Sequence, residues 1–147
     1  MEYKHTGDRV YIRLDKGDEV LESIRQICAD EDIKFASFQG IGACDKVVVA
    51  TYIPAKQDFL LHEQKGMLEM VSLQGNIVTE DYGSLQEHAH GMFSYLHPAT
   101  GELAYLGGHL HSARISYTAE ILLDVVQDGF CGHKVDPFTG IKVWKFA

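Results

Sequence analysis

Histidines at alternating positions are the residues of this sequence whose types and spacing could do chemistry. His88 and His90 form one such pair, and His109 and His111 form another. In a β-strand, residues two apart project on the same side, about 7 Å from each other. Imidazole nitrogen suits Zn, Ni, Cu or Fe(II), whereas Ca and Mg prefer oxygen. Two pairs on neighbouring strands therefore predict a divalent transition-metal site, although a single pair of this kind is more often structural.

A short turn is expected to bring the two histidine pairs together. Residues 97–102 read His-Pro-Ala-Thr-Gly-Glu, with proline early and glycine late, as in a tight turn. Closing a hairpin over a four-residue loop fixes which residues oppose each other on its two strands. The predicted opposed pairs are Leu96 with Leu103, His90 with His109 and His88 with His111. At this spacing three imidazole nitrogens can meet one ion at about 2.0–2.1 Å.

The two faces of this hairpin differ in character, which supports the predicted register. One face is apolar and suited to packing on a helix; it consists of Ala89, Gly91, Phe93, Tyr95, Ala104, Leu106, Gly108 and Leu110. The other, the histidine face, carries the four histidines with Met92, Leu96, Leu103 and Tyr105. The histidine face is too apolar for open solvent, so we expect it to be covered, for example by another copy of the chain.

The rest of the chain is predicted to form many strands and one helix. Asp18 is the expected N-cap of the helix, whose apolar stripe follows a 3.6-residue period through Val20, Leu21, Ile24, Ile27 and Cys28. Runs rich in Val, Ile, Tyr and Phe predict strands at about 9–14, 33–40, 46–53, 57–62, 67–75, 87–96, 103–111, 115–126 and 141–146. These elements predict an α+β domain in which the helix covers one face of a largely antiparallel sheet.

Length and composition indicate a single domain over residues 1–147. The formal net charge of −8 and the lack of a basic run disfavour binding to nucleic acid. No stretch is apolar enough to span a bilayer, so no membrane partner is expected. The N-terminus lacks the features of a signal peptide, and the three cysteines show no CxxC spacing, so we expect a cytoplasmic protein with reduced thiols.

Segments spread over nearly the whole chain resemble, in order and spacing, the PPC (plants and prokaryotes conserved) domain. They are Gly-Ile-Gly-Ala at 40–43, Gly-Met-Leu-Glu-Met-Val-Ser-Leu-Gln-Gly-Asn-Ile at 66–77, His-Ala-His at 88–90, Gly-Gly-His-Leu at 107–110 and Thr-Ala-Glu at 118–120. The resemblance implies an α+β fold with a mixed, mostly antiparallel sheet beside one main helix, and assembly as a homotrimer.

The resemblance also implies the site residues. His88, His90 and His109 match the histidines expected to hold a metal, most simply zinc, in prokaryotic members of the family. His111 lies outside the family pattern, so it is a neighbour of the ligands, an occasional ligand or neither. Apart from the resemblance, the apolar neighbours of Glu69 on its strand predict a buried carboxylate. It is expected to orient a metal-bound imidazole, to act as an acid or base on a bound substrate, or to pair with a basic side chain.

A DNA-binding label also comes with the family, because plant relatives carry an AT-hook before the domain. That arm is absent here. The plant pattern Gly-Arg-Phe-Glu-Ile is replaced by Gly-Met-Leu-Glu-Met at 66–70, so its arginine is lost. For this chain DNA binding rests on the family label alone.

Three functions remain open from the sequence. The first is a metal-binding module that senses, carries or binds a partner without turning it over. The second is a metalloenzyme acting on an unknown small molecule, because three histidines leave a fourth metal position open. A cupin-type oxygenase is disfavoured because residues 91–96 contain no carboxylate. The third is a DNA-associated regulator, which the charge disfavours.

Overall fold

A single helix lies against an antiparallel sheet in this protein. The structure is a computed structural model and describes residues 1–80, 83–127 and 131–146. Its elements are β1 (Glu2–Thr6), β2 (Arg9–Asp15), α1 (Val20–Asp30), β3 (Phe35–Ile53), a 3-10 turn (Pro54–Lys56), β4 (Asp58–Thr79), β5 (Leu85–Leu96), β6 (Leu103–Val125), β7 (Cys131–Val135) and β8 (Lys142–Phe146). Every strand pairing in the described ranges is antiparallel. The predicted α+β class, with one main helix on a mostly antiparallel sheet, is confirmed.

The strands β5 and β6 pair with each other although β3 and β4 lie between them in the sheet. The strands run β1-β2-β6-β3-β4-β5, and β6 also pairs with β5. The first part of β6 pairs with β5 as far as His109, and from His109 onward β6 pairs with β3. The strands β6, β3, β4 and β5 therefore close on themselves. A separate two-stranded ribbon of β7 and β8 follows.

Several strands are longer than the sequence predicted. The predicted segments at 33–40 and 46–53 are joined in β3, although β3 begins only at Phe35. It shifts register between Gly40 and Gly42 and again between Cys44 and Lys46. Such bulges bend a strand without ending it, which is why the glycines at 40 and 42 do not separate two strands. The backbone packs closely at the first of these bulges, since a Cβ on Gly42 would lie 2.6 Å from the Cβ of Ala119.

The segments predicted separately in β4 and in β6 are also continuous strands, because register shifts along them bend the strand without ending it. The two predicted runs at 57–62 and 67–75 both lie in β4, and those at 103–111 and 115–126 are nearly covered by β6. Two strands, β1 and β7, were not predicted. The side chains of β1 are all exposed, whereas β7 is buried at Cys131 and Gly132 and exposed at Lys134 and Val135. Neither strand has the alternating apolar pattern that indicates a strand in the sequence.

The helix α1 buries the apolar stripe that the sequence predicted. Its buried residues include Val20, Leu21, Ile24, Ile27 and Cys28, which join one apolar core with the inner faces of the strands. The prediction of Asp18 as its N-cap is wrong. Glu19 is the cap, because its carboxylate accepts a hydrogen bond from the backbone N–H of Glu22 at 2.8 Å. The carboxylate of Asp18 instead accepts from the backbone N–H of Asp15 at 2.8 Å.

The buried cysteines are unsuited to act as nucleophiles. All three cysteines are free and buried. Burial raises the pKa of Cys28 and of Cys44 to about 12, so neither is a thiolate near neutral pH. Within the described ranges no helix has the length and apolar character needed to cross a membrane.

Candidate metal centre

The hairpin of β5 and β6 has the register that the sequence predicted. Leu96 opposes Leu103, and His90 opposes His109. The turn is closed by the backbone N–H of His97, which donates to the carbonyl oxygen of Glu102 at 2.8 Å. The two faces are also as expected, because Phe93 is buried in the core while His90 is exposed on the opposite side. Strand pairing thus fixes two imidazoles side by side.

The predicted pairing of His88 with His111 is wrong, because the ladder between β5 and β6 ends at His90 and His109. Beyond that point β6 turns to β3, where Leu110 pairs with Val49 and Ser112 with Val48. His111 is the extra residue of the bulge between these two pairs and has no partner in the ladder. It is exposed and lies outside the ladder that pairs His90 with His109.

Three histidines converge where β6 changes partner. The ring centroids of His88 and His90 lie 5.3 Å apart, those of His88 and His109 5.1 Å, and those of His90 and His109 5.5 Å. Each ring offers one nitrogen, and these three nitrogens all lie within 4.8 Å of one another. Within the part of the chain that the structure describes, His88, His90 and His109 form the one group of His, Cys, Asp or Glu side chains placed closely enough to share a metal ion.

The donor set fits zinc. It consists of three imidazole nitrogens with no thiolate or carboxylate, as in catalytic zinc sites that keep one position open. Small rotations of the rings would bring the nitrogens to about 2.0–2.1 Å from a common centre. Burial lowers the pKa of His88 and that of His109, and neighbouring histidines lower both further. Both rings are therefore neutral near pH 7, which is the form that binds a metal.

Gly108 lets β6 pass close to β3 next to His109. A Cβ on this residue would lie 2.9 Å from the carbonyl oxygen of Ala50, which is a backbone atom and cannot rotate away. The neighbouring Gly107 is less constrained, because its Cβ would meet the flexible end of Met92 at 3.0 Å and the backbone oxygen of Gly91 at the longer distance of 3.2 Å. The backbone that approaches Gly108 is therefore that of β3.

Glu69 is not brought to the histidines within the chain. Its side chain is exposed, because strand alternation buries Leu68 and Met70 and turns the residue between them outward. The expectation that the carboxylate of Glu69 is buried is therefore wrong. Glu69 pairs with Ser94, four residues from His90, which is about 13 Å along β5.

The sequence missed several neighbours of the three histidines. The ring of Phe59 lies 5.2 Å from that of His109. The side chain of His133 is only 8% exposed, and its Nδ1 lies 3.3 Å from Oε1 of Glu80. A positive charge on His133 is close enough to contribute to the lowered pKa of His88. No spacing signal could have found these residues, since β4 and β7 reach the site only through the tertiary fold.

The histidine face is exposed in the single chain. Leu96 is 68% exposed, Leu103 60% and Tyr105 61%, and Met92 is exposed beside them. These four side chains form a continuous apolar surface on β5 and β6 that begins next to His90 and His109. A surface of this kind usually marks a contact with another molecule.

Comparisons with known proteins agree with the fold. A protein from Ralstonia eutropha, described as a DNA-binding candidate, is 28% identical with a TM-score of 0.85 over 99% of this chain and 96% of its own. A plant- and prokaryote-conserved protein from Pyrococcus horikoshii is 26% identical with a TM-score of 0.82 over 99% and 96%. A metal-containing protein from Archaeoglobus fulgidus is 26% identical with a TM-score of 0.81 over 98% and 96%.

Among curated proteins no match is found. The sequence model of the Plants and Prokaryotes Conserved domain matches residues 1–127, which is most of the chain and includes all three histidines of the cluster. The chain therefore belongs to the Plants and Prokaryotes Conserved domain family.

Proposed function

We propose that this protein binds zinc, about one ion per chain, through His88, His90 and His109. The observation that carries the proposal is the convergence of these three rings, with every pair of ligand nitrogens within 4.8 Å. Two further points support it. The pKa values of His88 and His109 are lowered, which favours neutral ligands, and the similar protein from Archaeoglobus fulgidus is a metal-containing protein.

The proposed role of the chain is a metal-binding module. Bound zinc would supply a Lewis acid with one position open to water or a ligand. His90 and His109 are positioned by the ladder of β5 and β6, and His88 by its place two residues before His90 on the same strand. The open position also favours a metalloenzyme as a second candidate. A panel of ester and phosphate substrates tested on the wild type and on His90→Ala separates the two functions, because only an enzyme loses turnover with the ligand.

We also propose that the chain assembles as a homotrimer through the histidine face. The exposed apolar surface of Leu96, Leu103 and Tyr105 supports burial against another copy. In that assembly the metal sites lie close to the subunit contacts.

Charge argues against DNA as the partner, although the protein from Ralstonia eutropha carries the DNA-binding description. The net charge is −8, and each of the four arginines is already paired with a carboxylate. Cations engaged in this way contribute little to the counterion release that drives DNA binding. Fluorescence anisotropy with duplex DNA at about 150 mM salt is expected to show no micromolar binding. Micromolar or tighter binding would restore the regulator hypothesis.

Zinc titration of the metal-free protein by calorimetry tests the proposed function. We expect saturation near one ion per chain for the wild type and loss of that binding for His90→Ala. An unchanged isotherm for the variant would contradict the proposed ligand set.

A further inference from the structure

Two carboxamides flank the histidine cluster on β4. Asn76 directly opposes His88, and Gln74 directly opposes His90. Directly opposed residues of antiparallel strands share a face, with Cβ atoms about 4.5–5.5 Å apart. Both amides therefore lie beside the rings that are proposed to hold zinc. Both side chains are uncharged and carry N–H groups that can donate hydrogen bonds to a molecule bound there.

Trp144 of β8 orients one of these amides. Its indole Nε1–H donates to Oδ1 of Asn76 over 3.4 Å, and its ring packs edge-on against Phe35 at 6.0 Å. An indole can only donate, so this contact assigns the oxygen of Asn76 to Trp144 and leaves the amide's two N–H donors for another partner. The consequence is a hydrogen-bond donor, held by a packed aromatic ring, next to His88.

The charge at the site favours an anion. Three neutral imidazoles leave the full double charge of a divalent ion uncompensated. Two acidic side chains near the cluster along the chain have cationic partners: Glu80 contacts Lys142 at 2.7 Å, and Glu87 pairs with Arg25. An incoming anion would thus meet a positive centre and neutral donors.

We propose that the site binds a small carboxylate, an inference that rests on the proposed zinc function. One oxygen would occupy the open position of the ion, and the other would accept a hydrogen bond from Asn76, with Gln74 as a second donor. The neutral amides favour a carboxylate over a phosphate, which proteins usually hold with arginine or lysine. The ring of Phe59, 5.2 Å from that of His109, offers an apolar wall for the carbon skeleton.

Cobalt(II) substitution gives a readout that does not depend on activity. The visible spectrum of the cobalt protein first reports whether the histidines bind the ion, and its change on titration with acetate then reports the carboxylate. We expect a saturable change for the wild type. For Asn76→Ala we expect cobalt affinity to be retained and the acetate dissociation constant to rise about tenfold, since one hydrogen bond to a charged group is lost.

Two further variants make the test specific. Ser37→Ala is the matched control, because Ser37 opposes Asn76 on β3, one strand further from the histidines, and its acetate affinity is expected to match the wild type. Trp144→Phe keeps an aromatic ring against Phe35 but loses the indole N–H. We expect it to weaken acetate binding less than Asn76→Ala does.

The outcomes are distinguishable. Equal acetate affinity in the wild type and Asn76→Ala, or tighter binding of inorganic phosphate than of acetate, would overturn the carboxylate proposal while the metal site stands. A spectrum that changes with protein concentration instead of with acetate would mean that an acidic side chain of a second copy fills the position, which also overturns it. Absence of any cobalt spectrum would overturn the proposed function itself, and the carboxylate site with it.

Discussion

His90 and His109 are directly opposed on β5 and β6, and their ring centroids lie 5.5 Å apart at an interplanar angle of 84°. This pair is the last rung of the ladder between the two strands. His88 completes the triangle because it is two residues from His90 and so lies on the same side of β5. The geometry of the proposed metal centre is thus set by backbone pairing.

Removal of one imidazole is expected to abolish tight metal binding. His109→Ala leaves two ligands, and we predict that zinc affinity falls by more than about 100-fold, which exceeds the usual effect of altering an outer neighbour of a ligand. Calorimetric titration of the metal-free protein measures this change. His111→Ala is the control, because His111 is in the bulge outside the cluster. The zinc affinity of this variant should stay within about tenfold of that of the wild type. Equal losses in both variants would contradict the assignment of ligands.

Substitutions at the glycine pair test how His109 is positioned. Gly108→Ala places a methyl group against the backbone oxygen of Ala50, so β6 must move away from β3. We predict that the free energy of unfolding falls by about 1–3 kcal/mol and that zinc binding weakens. Gly107→Ala meets the flexible end of Met92 at 3.0 Å and the backbone oxygen of Gly91 at 3.2 Å, so its losses of stability and of zinc affinity should be smaller than those of Gly108→Ala. Urea unfolding and zinc titration measure both effects, and similar behaviour of the two variants would refute this account of the crossing.

The metal-free protein is predicted to lose stability as the pH falls from about 7 to 5. Burial lowers the pKa of His88 and of His109 in the folded state, whereas in the unfolded chain both titrate near 6.5. Below that pH the unfolded state binds more protons, so the free energy of unfolding decreases; above it both states are neutral and the effect vanishes. Urea unfolding across this range measures the slope. The double variant His88→Gln, His109→Gln should show a flatter profile, and an equally steep one would count against the lowered pKa values.

A charge on the histidine face is predicted to disrupt assembly. Tyr105→Asp places a carboxylate in the apolar surface, and its burial against another copy would cost several kcal/mol, roughly 2 or more. Light scattering should give about three times the chain mass of 16.4 kDa for the wild type and a smaller mass for the variant. Phe138→Asp, at a residue 90% exposed in the turn between β7 and β8, should leave the mass unchanged. A monomeric wild type would contradict the proposed trimer.

The hairpin could be predicted because its information is local. The turn at 97–102 fixes the register, and the alternation of residues such as Phe93 and His90 fixes the faces. The helix was predictable for the same reason, since its apolar stripe has a helical period. Its cap was not, because Glu19 is held in place partly by the backbone N–H of Ala113, 94 residues away.

The remaining parts of the site depend on contacts distant in sequence. His111 leaves the cluster because of a bulge that forms only when β6 pairs with β3. Asn76 and Trp144 are 68 residues apart, and nothing in either local sequence indicates that they meet. Long-range pairing of this kind is decided by the closure of the whole sheet.

The most direct test of the proposed zinc centre is anomalous diffraction from crystals of the protein purified without an immobilised-metal step and supplied with zinc. Data above and below the zinc absorption edge should give one peak per chain, at about 2.0–2.1 Å from a nitrogen each of His88, His90 and His109. No peak among these three rings with zinc in excess, or a peak held by other residues, would contradict the account.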